Sequence, residues 1–435
     1  MNNMFAAGGG SRAGIGVTIV MPCLNEAEWL PHCIDNARAA LRIMQRDLGL
    51  TGEILVADNG SEDGSQVVAR ASGARVVDVA ERGYGAALAA GFRSAHGTYL
   101  VMGDSDGSYD FRESVPMVRD LIRGADLCVG SRFRGRIEPG AMPWKNRYLG
   151  NPVLTFILNL FFRSGVSDAH CGLRALTKSC FEQLNLTGRG MEFASEMIIK
   201  AVLQGKTIVE VPATLSRDLR NRPPHLRPWQ DGWRHLRYLL MLSPRAFAAP
   251  AAATVAIALT IWAIAALGTL QGSDSVSFFG NYWVILAGAL LGLAHTALLL
   301  SMAIHLYGRG RGYRPASSWE MMLSNWMSLE AMLIAGGIAF SAGVTILVFV
   351  LSYWASHHFT AISNMLPAVV GTTLMVIGAQ NVLGGFLLAV INGNEARYLT
   401  QMRQANSAPM RPVAALASTR RHAIPDAMSS GANPS

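Results

Sequence analysis

Thr98-Tyr-Leu-Val-Met-Gly-Asp-Ser-Asp-Gly-Ser-Tyr-Asp110 is the stretch that decides the fold. Its first five residues are β-branched, aromatic or apolar, stop at Gly103, and are followed by two carboxylates one residue apart. That is the pattern of a buried strand delivering acids to its carboxyl end. In open α/β sheets, ligands sit at that edge. Asp104 and Asp106 offer hard oxygens, and with the Ser108 hydroxyl they suit a divalent cation, Mg²⁺ or Mn²⁺, whose other ligands are water and phosphate. Alone, an Asp-x-Asp among Gly and Ser serves equally to turn a chain. The surrounding sequence gives it weight.

Upstream, Val17-Thr-Ile-Val-Met-Pro22 is a short strand, and Asn25-Glu26-Ala-Glu28-Trp-Leu opens a helix running to about Gly49. Glu53-Ile-Leu-Val-Ala57 is a second strand, ending in Asp58-Asn-Gly-Ser-Glu-Asp-Gly-Ser65. A helix from Ser65 to Ser72, a strand from Ala74 to Val79 and a helix from Gly83 to Ala95 then lead into Thr98. Strands and helices alternate, so a doubly wound, mostly parallel sheet is expected. Asn25, Glu26, Asp58, Asn59 and Asp104 all fall at strand carboxyl ends, where a nucleotide site needs them.

The 435 residues are 51% hydrophobic and only 15% charged, and the apolar excess lies after residue 245. Four stretches, about 247–268, 281–305, 329–352 and 367–391, approach the ~20 apolar residues that span a ~30 Å hydrocarbon core. The loops at about 269–280 and 353–366 contain no Lys or Arg. By contrast, 306–328 carries Arg309, Arg311 and Arg314, and the tail carries Arg397, Arg403 and Arg411. The positive-inside rule therefore puts the first half, the middle loop and the tail in the cytoplasm. The net charge of +8, clustered near apolar segments, suits anionic head groups or a phosphorylated lipid. No zinc finger, aromatic-basic RNA motif or basic helix supports nucleic-acid binding. Five cysteines without a Cys-x-x-Cys pair argue against a disulfide framework and a structural zinc site, and for a reducing compartment. The start lacks a basic stretch before an apolar one, so no cleaved signal peptide is expected.

Pro22-Cys-Leu-Asn25-Glu26, Ala57-Asp58-Asn-Gly-Ser61-x-Asp63-Gly64, Asp104-Ser-Asp106 and Gly130-Ser131-Arg132-Phe133 resemble, in order and spacing, the motif set of family-2 glycosyltransferases of the GT-A fold. The likeness is strongest to the polyprenyl-phosphate branch that includes dolichol-phosphate mannose and glucose synthases, and it covers residues 17 to about 240. It implies that Pro22, Asn25, Glu26, Asp58 and Asn59 surround base and ribose, with Ser105 between two acids that also meet the nucleotide. It implies that Asp104, Asp106 and Ser108 hold the metal. The family's usual Asp-Asp before Gly-Ser is Asp58-Asn59 here, which leaves the choice between uracil and guanine open.

The same resemblance matches Arg132 and Arg147 to arginines that contact lipid phosphate or donor diphosphate, as suits guanidinium forks. Asp168-Ala-His-Cys-Gly-Leu-Arg174 resembles the family's Asp-x-x-x-Gly-x-Arg segment, with Arg174 facing phosphate and Asp168 able to serve as its ion-pair partner. His170 is expected to be structural. Glu192 and Glu196, four residues apart, share one helix face, and Glu196 matches a family acid near the sugar. Val153 to Phe162 is too short to span a bilayer but suits its interface or a core. Arg217, Arg220, Arg222, His225 and Arg227 form a basic, proline-stiffened loop before Trp229 and Trp233, read as a lid over phosphates and an interface anchor.

The expected plan is a flexible start (1–16), a GT-A domain (17–227), an interfacial amphipathic helix (228–245), an all-α four-helix transmembrane domain (246–392) and a disordered cytoplasmic tail (393–435). The expected activity is inverting transfer of glucose or mannose from a UDP- or GDP-sugar to a polyprenyl phosphate at the inner (plasma) membrane. Asp104, Asp106, Arg132, Arg147, Asp168, Arg174, Glu196 and Arg217 would carry it. A homo-oligomer is compatible with this plan. One rival is a processive polysaccharide synthase, although Gln230-Asp-Gly-Trp233-Arg234 does not fit its Gln-x-x-Arg-Trp signature. The other is a non-catalytic protein that binds nucleotide sugar or assists lipid translocation.

Overall fold

The computed structural model describes residues 15–219, 228–270, 280–314, 328–360 and 364–393, with Ile362 and Tyr398. Most of the expected 1–16 segment, Arg220 to Arg227 of the basic loop, the loop at 271–279 and the tail arginines lie outside the described residues.

Four strands follow the apolar runs: β1 (Val17–Cys23), β2 (Gly52–Asp58), β3 (Arg75–Asp78) and β4 (Tyr99–Met102). β1 pairs in parallel with β2 and with β4, and β2 in parallel with β3. Alternation decides the two cores. Val17, Ile19, Met21, Ile54, Val56 and Val101 face one side, while Val20, Leu55, Ala57, Leu100 and Met102 face the other. Helix α1 (Leu30–Leu48) covers the first side through Leu30, Cys33, Ile34, Ala37, Ala40 and Met44, and α2 (Ser65–Ala71) lies beside it. On the second side lies α3 (Tyr84–Ser94).

α1 begins five residues later than the sequence predicts. Asn25 adopts a left-handed φ of 57°, and the amides of Asn25, Glu26 and Ala27 go to Ser61, Ser65 and Asp63 rather than into a helix. Pro31 then opens the first turn, and Gly49, left-handed at φ 69°, closes the last.

After α4 (Ser114–Ile122) the chain continues with a strand and a helix where the sequence reads them, at about 207–212 and 192–196, and with two strands, Leu127–Ile137 and Arg174–Thr177, that it does not predict. β5 (Leu127–Ile137) is followed by α5 (Asn151–Phe162), β6 (Arg174–Thr177), α6 (Lys178–Leu184), α7 (Phe193–Leu203) and β7 (Ile208–Leu215). The seven strands run in the order β3-β2-β1-β4-β6-β5-β7, with β6 antiparallel to both neighbours. β4 is thus the middle strand, and its carboxyl end opens at the centre of the edge.

The chain then enters α8 (Pro228–Leu242) and four long apolar helices: α9 (Arg245–Leu270), α10 (Asn281–Gly310), α11 (Leu329–Ser356) and α12 (Leu366–Ile391). Each is long and apolar enough to cross a membrane. α11 and α12 pack closely because glycines face each other. A Cβ on Gly336 would meet Gly378 O at 2.8 Å, and one on Gly343 would meet Gly371 O at 2.6 Å. Small residues bring backbones together in lipid, where apolar burial alone gives no preference for helix contact.

The halves are joined by packing. Arg314 donates to Leu242 O (2.8 Å), and Ser301 to Pro244 O (2.9 Å). Tyr313, just past α10, is buried in the core of the α/β half with the Lys200 ammonium 4.1 Å over its ring.

Candidate active site at the centre of the sheet edge

Four loops meet at the carboxyl ends of β1, β2 and β4. The loop after β2 is fastened to the one after β1: Asn25 N donates to Ser61 Oγ (2.8 Å), Glu62 N to Asn25 Oδ1 (2.7 Å), and Glu26 N to Ser65 Oγ (2.9 Å). Asp58 Oδ2 accepts from Gly60 N, Ser61 N and Gln66 Nε2. Its Oδ1 is buried and has no protein partner. A buried carboxylate oxygen without a donor is costly, so this atom marks where a ligand N–H or O–H would be accepted. Asn59 is spent differently. It donates to Glu81 O (2.7 Å) and accepts from Gly83 N (2.7 Å), tying down the loop before α3.

Asp104 and Asp106 follow β4 with their surroundings fixed. Tyr84 Oη donates to Asp104 Oδ1 (3.0 Å), and burial together with the Asp104 charge raises the Tyr84 pKa well above its ordinary value. Tyr84 therefore stays a proton donor across the physiological range. Ser105 Oγ donates to Pro22 O (2.7 Å), anchoring the turn to β1. Asp106 Oδ1 accepts from Ser108 N (3.0 Å), and Asp106 and Ser108 are both buried. The segment after β7 lies across this turn, with Ser216 N donating to Ser108 O and Leu219 N to Asp106 O. Gly107 between them has φ +78°, and a Cβ there would meet Leu219 Cδ1 at 2.5 Å, so only glycine fits. Arg217 belongs to this covering segment. It is exposed, and its Nε donates to Pro139 O (2.5 Å), linking it to the loop that leads to Arg147.

The loop 168–172 closes the far side. A Cβ on Gly172 would meet Asp104 Oδ2 at 2.6 Å and Tyr109 Cε2 at 2.9 Å. Gly172→Ala is therefore expected to displace the Asp104 carboxylate and lower turnover about tenfold, a misplacement effect. Initial rates beside an unchanged melting curve would check this.

The arginines divide. Arg132 is buried and forms a two-pronged pair with Asp168 (Nε–Oδ2 2.6 Å, Nη2–Oδ1 2.8 Å). Burial alone would raise the Asp168 pKa, but the hydrogen bonds and charge of Arg132 outweigh it and hold the carboxyl below its ordinary range. Asp168 is thus the partner of Arg132, not of Arg174. Arg174 is fully buried with its fork on the carbonyls of Cys171, Ala194 and Ala169. Arg147, in a short π-helical turn at 146–150, lies 5.5 Å from the Tyr148 ring centre.

Glu192 precedes α7 and accepts from Gly190 N (2.9 Å). Glu196, inside the helix, is fully buried against Lys200 (2.5 Å). It also accepts from Thr187 N, Thr187 Oγ1 and Gly188 N, so the two acids do not act as a pair. Tyr238 of α8 donates to Glu196, and burial and the carboxylate raise its pKa. Glu196 thus sits where the catalytic half meets α8 and the turn after α10. The Glu-to-Lys spacing of four is a sequence signal for the Glu196–Lys200 pair only. His170 stacks edge-on against His235 at 4.8 Å, with both its own ring nitrogens sealed from solvent and unpartnered. Burial, then the neighbouring His235, pushes its pKa well below the ordinary value, so it is neutral. All five cysteines are buried and free, and burial raises the thiol pKa of Cys23 to about 11 and of Cys33, Cys128, Cys171 and Cys180 to about 12.

Among the described residues no three His, Cys, Asp or Glu side chains gather to hold a metal. Two carboxylates and a hydroxyl therefore fit a cation only where a ligand's phosphates and water complete the shell, the habit of Mg²⁺ and Mn²⁺.

A mixed sheet with acids at the centre of its edge, followed by four helices long and apolar enough to cross a membrane, defines a class: membrane-bound α/β enzymes. Residues 18–184 match the model of glycosyl transferase family 2, and residues 302–392 that of the family-2 glycosyltransferase C-terminal transmembrane region. The chain is 35% identical over 375 residues to a low-salt glycan biosynthesis hexosyltransferase of Haloferax volcanii, covering 86% of this chain and 88% of that one. It is 27% identical to a polyprenol monophosphomannose synthase of Mycolicibacterium smegmatis, over 46% of this chain and 76% of the relative. Among solved structures it is similar to a glucosyl-3-phosphoglycerate synthase of Mycobacterium tuberculosis crystallised with Mn²⁺, UDP and phosphoglyceric acid. There the identity is 23% and the TM-score 0.40, over 53% of this chain and 78% of that one. The chain belongs to glycosyltransferase family 2 and is a membrane-bound glycosyltransferase.

Proposed function

We propose that the chain transfers a hexose, glucose or mannose, from a UDP- or GDP-linked donor to a polyprenyl phosphate, with inversion, on the cytoplasmic face of the plasma membrane. The observation that carries this is the apolar surface of α5 and the turn before it. Trp144 (67%), Tyr148 (70%), Phe156 (65%) and Leu160 (58%) are exposed, while Leu158 and Phe162 bury the opposite side. α5 packs on α8, which leads directly into α9. Aromatic residues beside Lys145 and Arg147 suit the head-group layer, and a short helix with one bare apolar face suits lying in it. A soluble donor and a lipid acceptor meet only where the catalytic edge is held against a bilayer. The similarity to the polyprenol monophosphomannose synthase supports the same acceptor class.

In this assignment Pro22, Glu26 and Asp58 border the nucleoside, with Asp58 Oδ1 accepting from base or ribose, and Asn25 and Asn59 hold the loops that shape it. Asp104, Asp106 and Ser108 would hold Mg²⁺ or Mn²⁺, which when bound offsets the charge of the departing diphosphate. Arg147 and Arg217 would meet phosphate, Arg132 with Asp168 fixes the 168–172 loop against Asp104, and Arg174 and Glu196 serve as scaffold. An acceptor phosphate oxygen attacks the anomeric carbon as the nucleoside diphosphate leaves. The acceptor is already ionised at neutral pH, so no strong general base is required, and catalysis rests on positioning and charge.

The test is transfer of radiolabel from UDP-glucose and, separately, GDP-mannose to undecaprenyl phosphate by the purified full chain with Mg²⁺ or Mn²⁺. Label in the lipid phase from one donor, absent with Phe156→Glu/Leu160→Glu in vesicles but retained in detergent, is the expected result. Transfer to a soluble acceptor and to no polyprenyl phosphate would overturn the proposal.

A further inference from the structure

Between α10 and α12 lies a groove of about 640 Å³, within the size range of ligand sites. Its floor is built from residues with little or no side chain, Gly288, Ala289 and Gly292 on α10 and Ala368 on α12. Gly288 is there for packing, since a Cβ would meet Val369 Cγ1 at 2.6 Å and Thr373 Oγ1 at 2.8 Å. Gly292 is not: its Cβ would meet only Val376 Cγ1, at 3.9 Å, an ordinary van der Waals contact, so a side chain can start there without a clash. One end of the groove reaches Gln380, which bonds His295 Nδ1 at 3.1 Å. A polar pair within a span is expensive to keep and marks functional ground.

The depth of the groove selects its occupant. The catalytic half sits at the carboxyl end of α10, where Arg314, Tyr313 and Gly312 touch it. The groove runs from Thr296 to Ile285 on that helix, so, with the apolar span ending near residue 305, it begins about 14 Å into the span at 1.5 Å per residue and extends away from the catalytic half. That is about the midplane of a ~30 Å hydrocarbon core, and the rest of the groove lies in the far half. An acyl chain anchored beside the catalytic edge ends near the midplane. A long polyprenyl chain, with many more main-chain carbons, continues into the far half.

We propose that this groove holds the distal part of the acceptor's polyprenyl chain and so sets the chain length the enzyme prefers. The inference rests on polyprenyl phosphate being the acceptor. The occupant is an isoprenoid, and the groove acts on affinity rather than on chemistry.

The experiment is equilibrium binding of C55 and C20 polyprenyl phosphate to the full chain in zwitterionic nanodiscs, with and without excess phosphatidylglycerol. For the native chain, C55-phosphate is expected to bind about tenfold more tightly than C20-phosphate, about 1.4 kcal/mol. Gly292→Leu puts a side chain into the groove and should abolish that difference while leaving C20 affinity unchanged. Gly337→Leu, on α11 where a Cβ meets nothing within 4 Å, should leave both unchanged. Equal binding of both chains by the native protein, an equal loss of both in Gly292→Leu, or displacement of C55 by phosphatidylglycerol would overturn the groove assignment while the acceptor class stands. A change in particle mass in Gly292→Leu would assign the groove to a second copy instead. Failure of the native chain to bind either lipid would overturn the acceptor class itself.

Discussion

Asp106→Asn is expected to lower kcat/KM by about 10³-fold, several kcal/mol of lost charge stabilisation, with the fold intact. The side chain changes by one charge and almost no volume. The carbonyl of Asn can still accept from Ser108 N, and the backbone contact from Leu219 N to Asp106 O is untouched. What is lost is one of the two anionic side chains of the proposed metal site, where no third His, Cys, Asp or Glu gathers among the described residues. The loss should therefore appear as a weakened metal requirement: the variant needs more Mn²⁺ to reach its residual rate, and a chelator brings the native enzyme down to the same floor. Tyr84→Phe tests the neighbouring contact. Removing the donor 3.0 Å from Asp104 Oδ1 should cost only about fivefold, the worth of a single hydrogen bond to a charged group that keeps other partners. Metal titrations of initial rate for the three proteins separate the two effects. An Asp106→Asn enzyme with native rates and native Mn²⁺ dependence would remove the metal role from this turn.

The contrast between what the sequence made legible and what it hid has a physical cause. β1, β2 and β4 are rich in Val, Ile, Leu and Met because both their faces are buried, and the polar residues of the edge stand at their ends or within two residues beyond: Asn25 after β1, Asp58 closing β2 and Asp104 after β4. β5 is hidden because only its first half follows that rule. From Arg132 onward it is Arg-rich and largely exposed, and its register with β7 shifts between Ser131 and Arg136. β6 is four residues long and enters the sheet antiparallel through Arg174, a residue type that argues against a central strand. The acids of the site were readable from their position after strands. The arginines were not, because what an arginine does depends on which groups reach it, and Arg132 finds its carboxylate 36 residues away. Arg174 looks like a phosphate ligand by residue type, yet it is enclosed by three carbonyls that no spacing rule links to it.

That pairing leads to the largest expected effect on stability. Asp168→Ala should destabilise the chain by about 3–5 kcal/mol, read as a fall of about 10 °C in Tm for a domain of roughly 200 residues. Two consequences add. The guanidinium of Arg132 is left buried without its counter-charge, and the backbone amides of Arg132 and His170 lose the carboxylate they donate to at 3.1 and 3.2 Å. Replacing both partners tells these apart. Arg132→Met/Asp168→Leu buries no charge and should recover part of the lost Tm, because a buried pair contributes less than its one-sided removal costs. Activity should not recover with it, since the 168–172 loop that abuts Asp104 would still lack its strap. The pH dependence carries the same sign. The Asp168 pKa is lower in the folded chain than in the unfolded one, so its contribution is fully present above the ordinary Asp value of about 3.9 and is lost as pH falls below it. In Asp168→Ala the melting temperature should consequently fall less steeply with acid than in the native chain, and the two curves should draw together below about pH 3.9. A double variant as unstable as Asp168→Ala would mean that the destabilisation comes from the lost amide contacts, and that the buried charge of Arg132 contributes little to it.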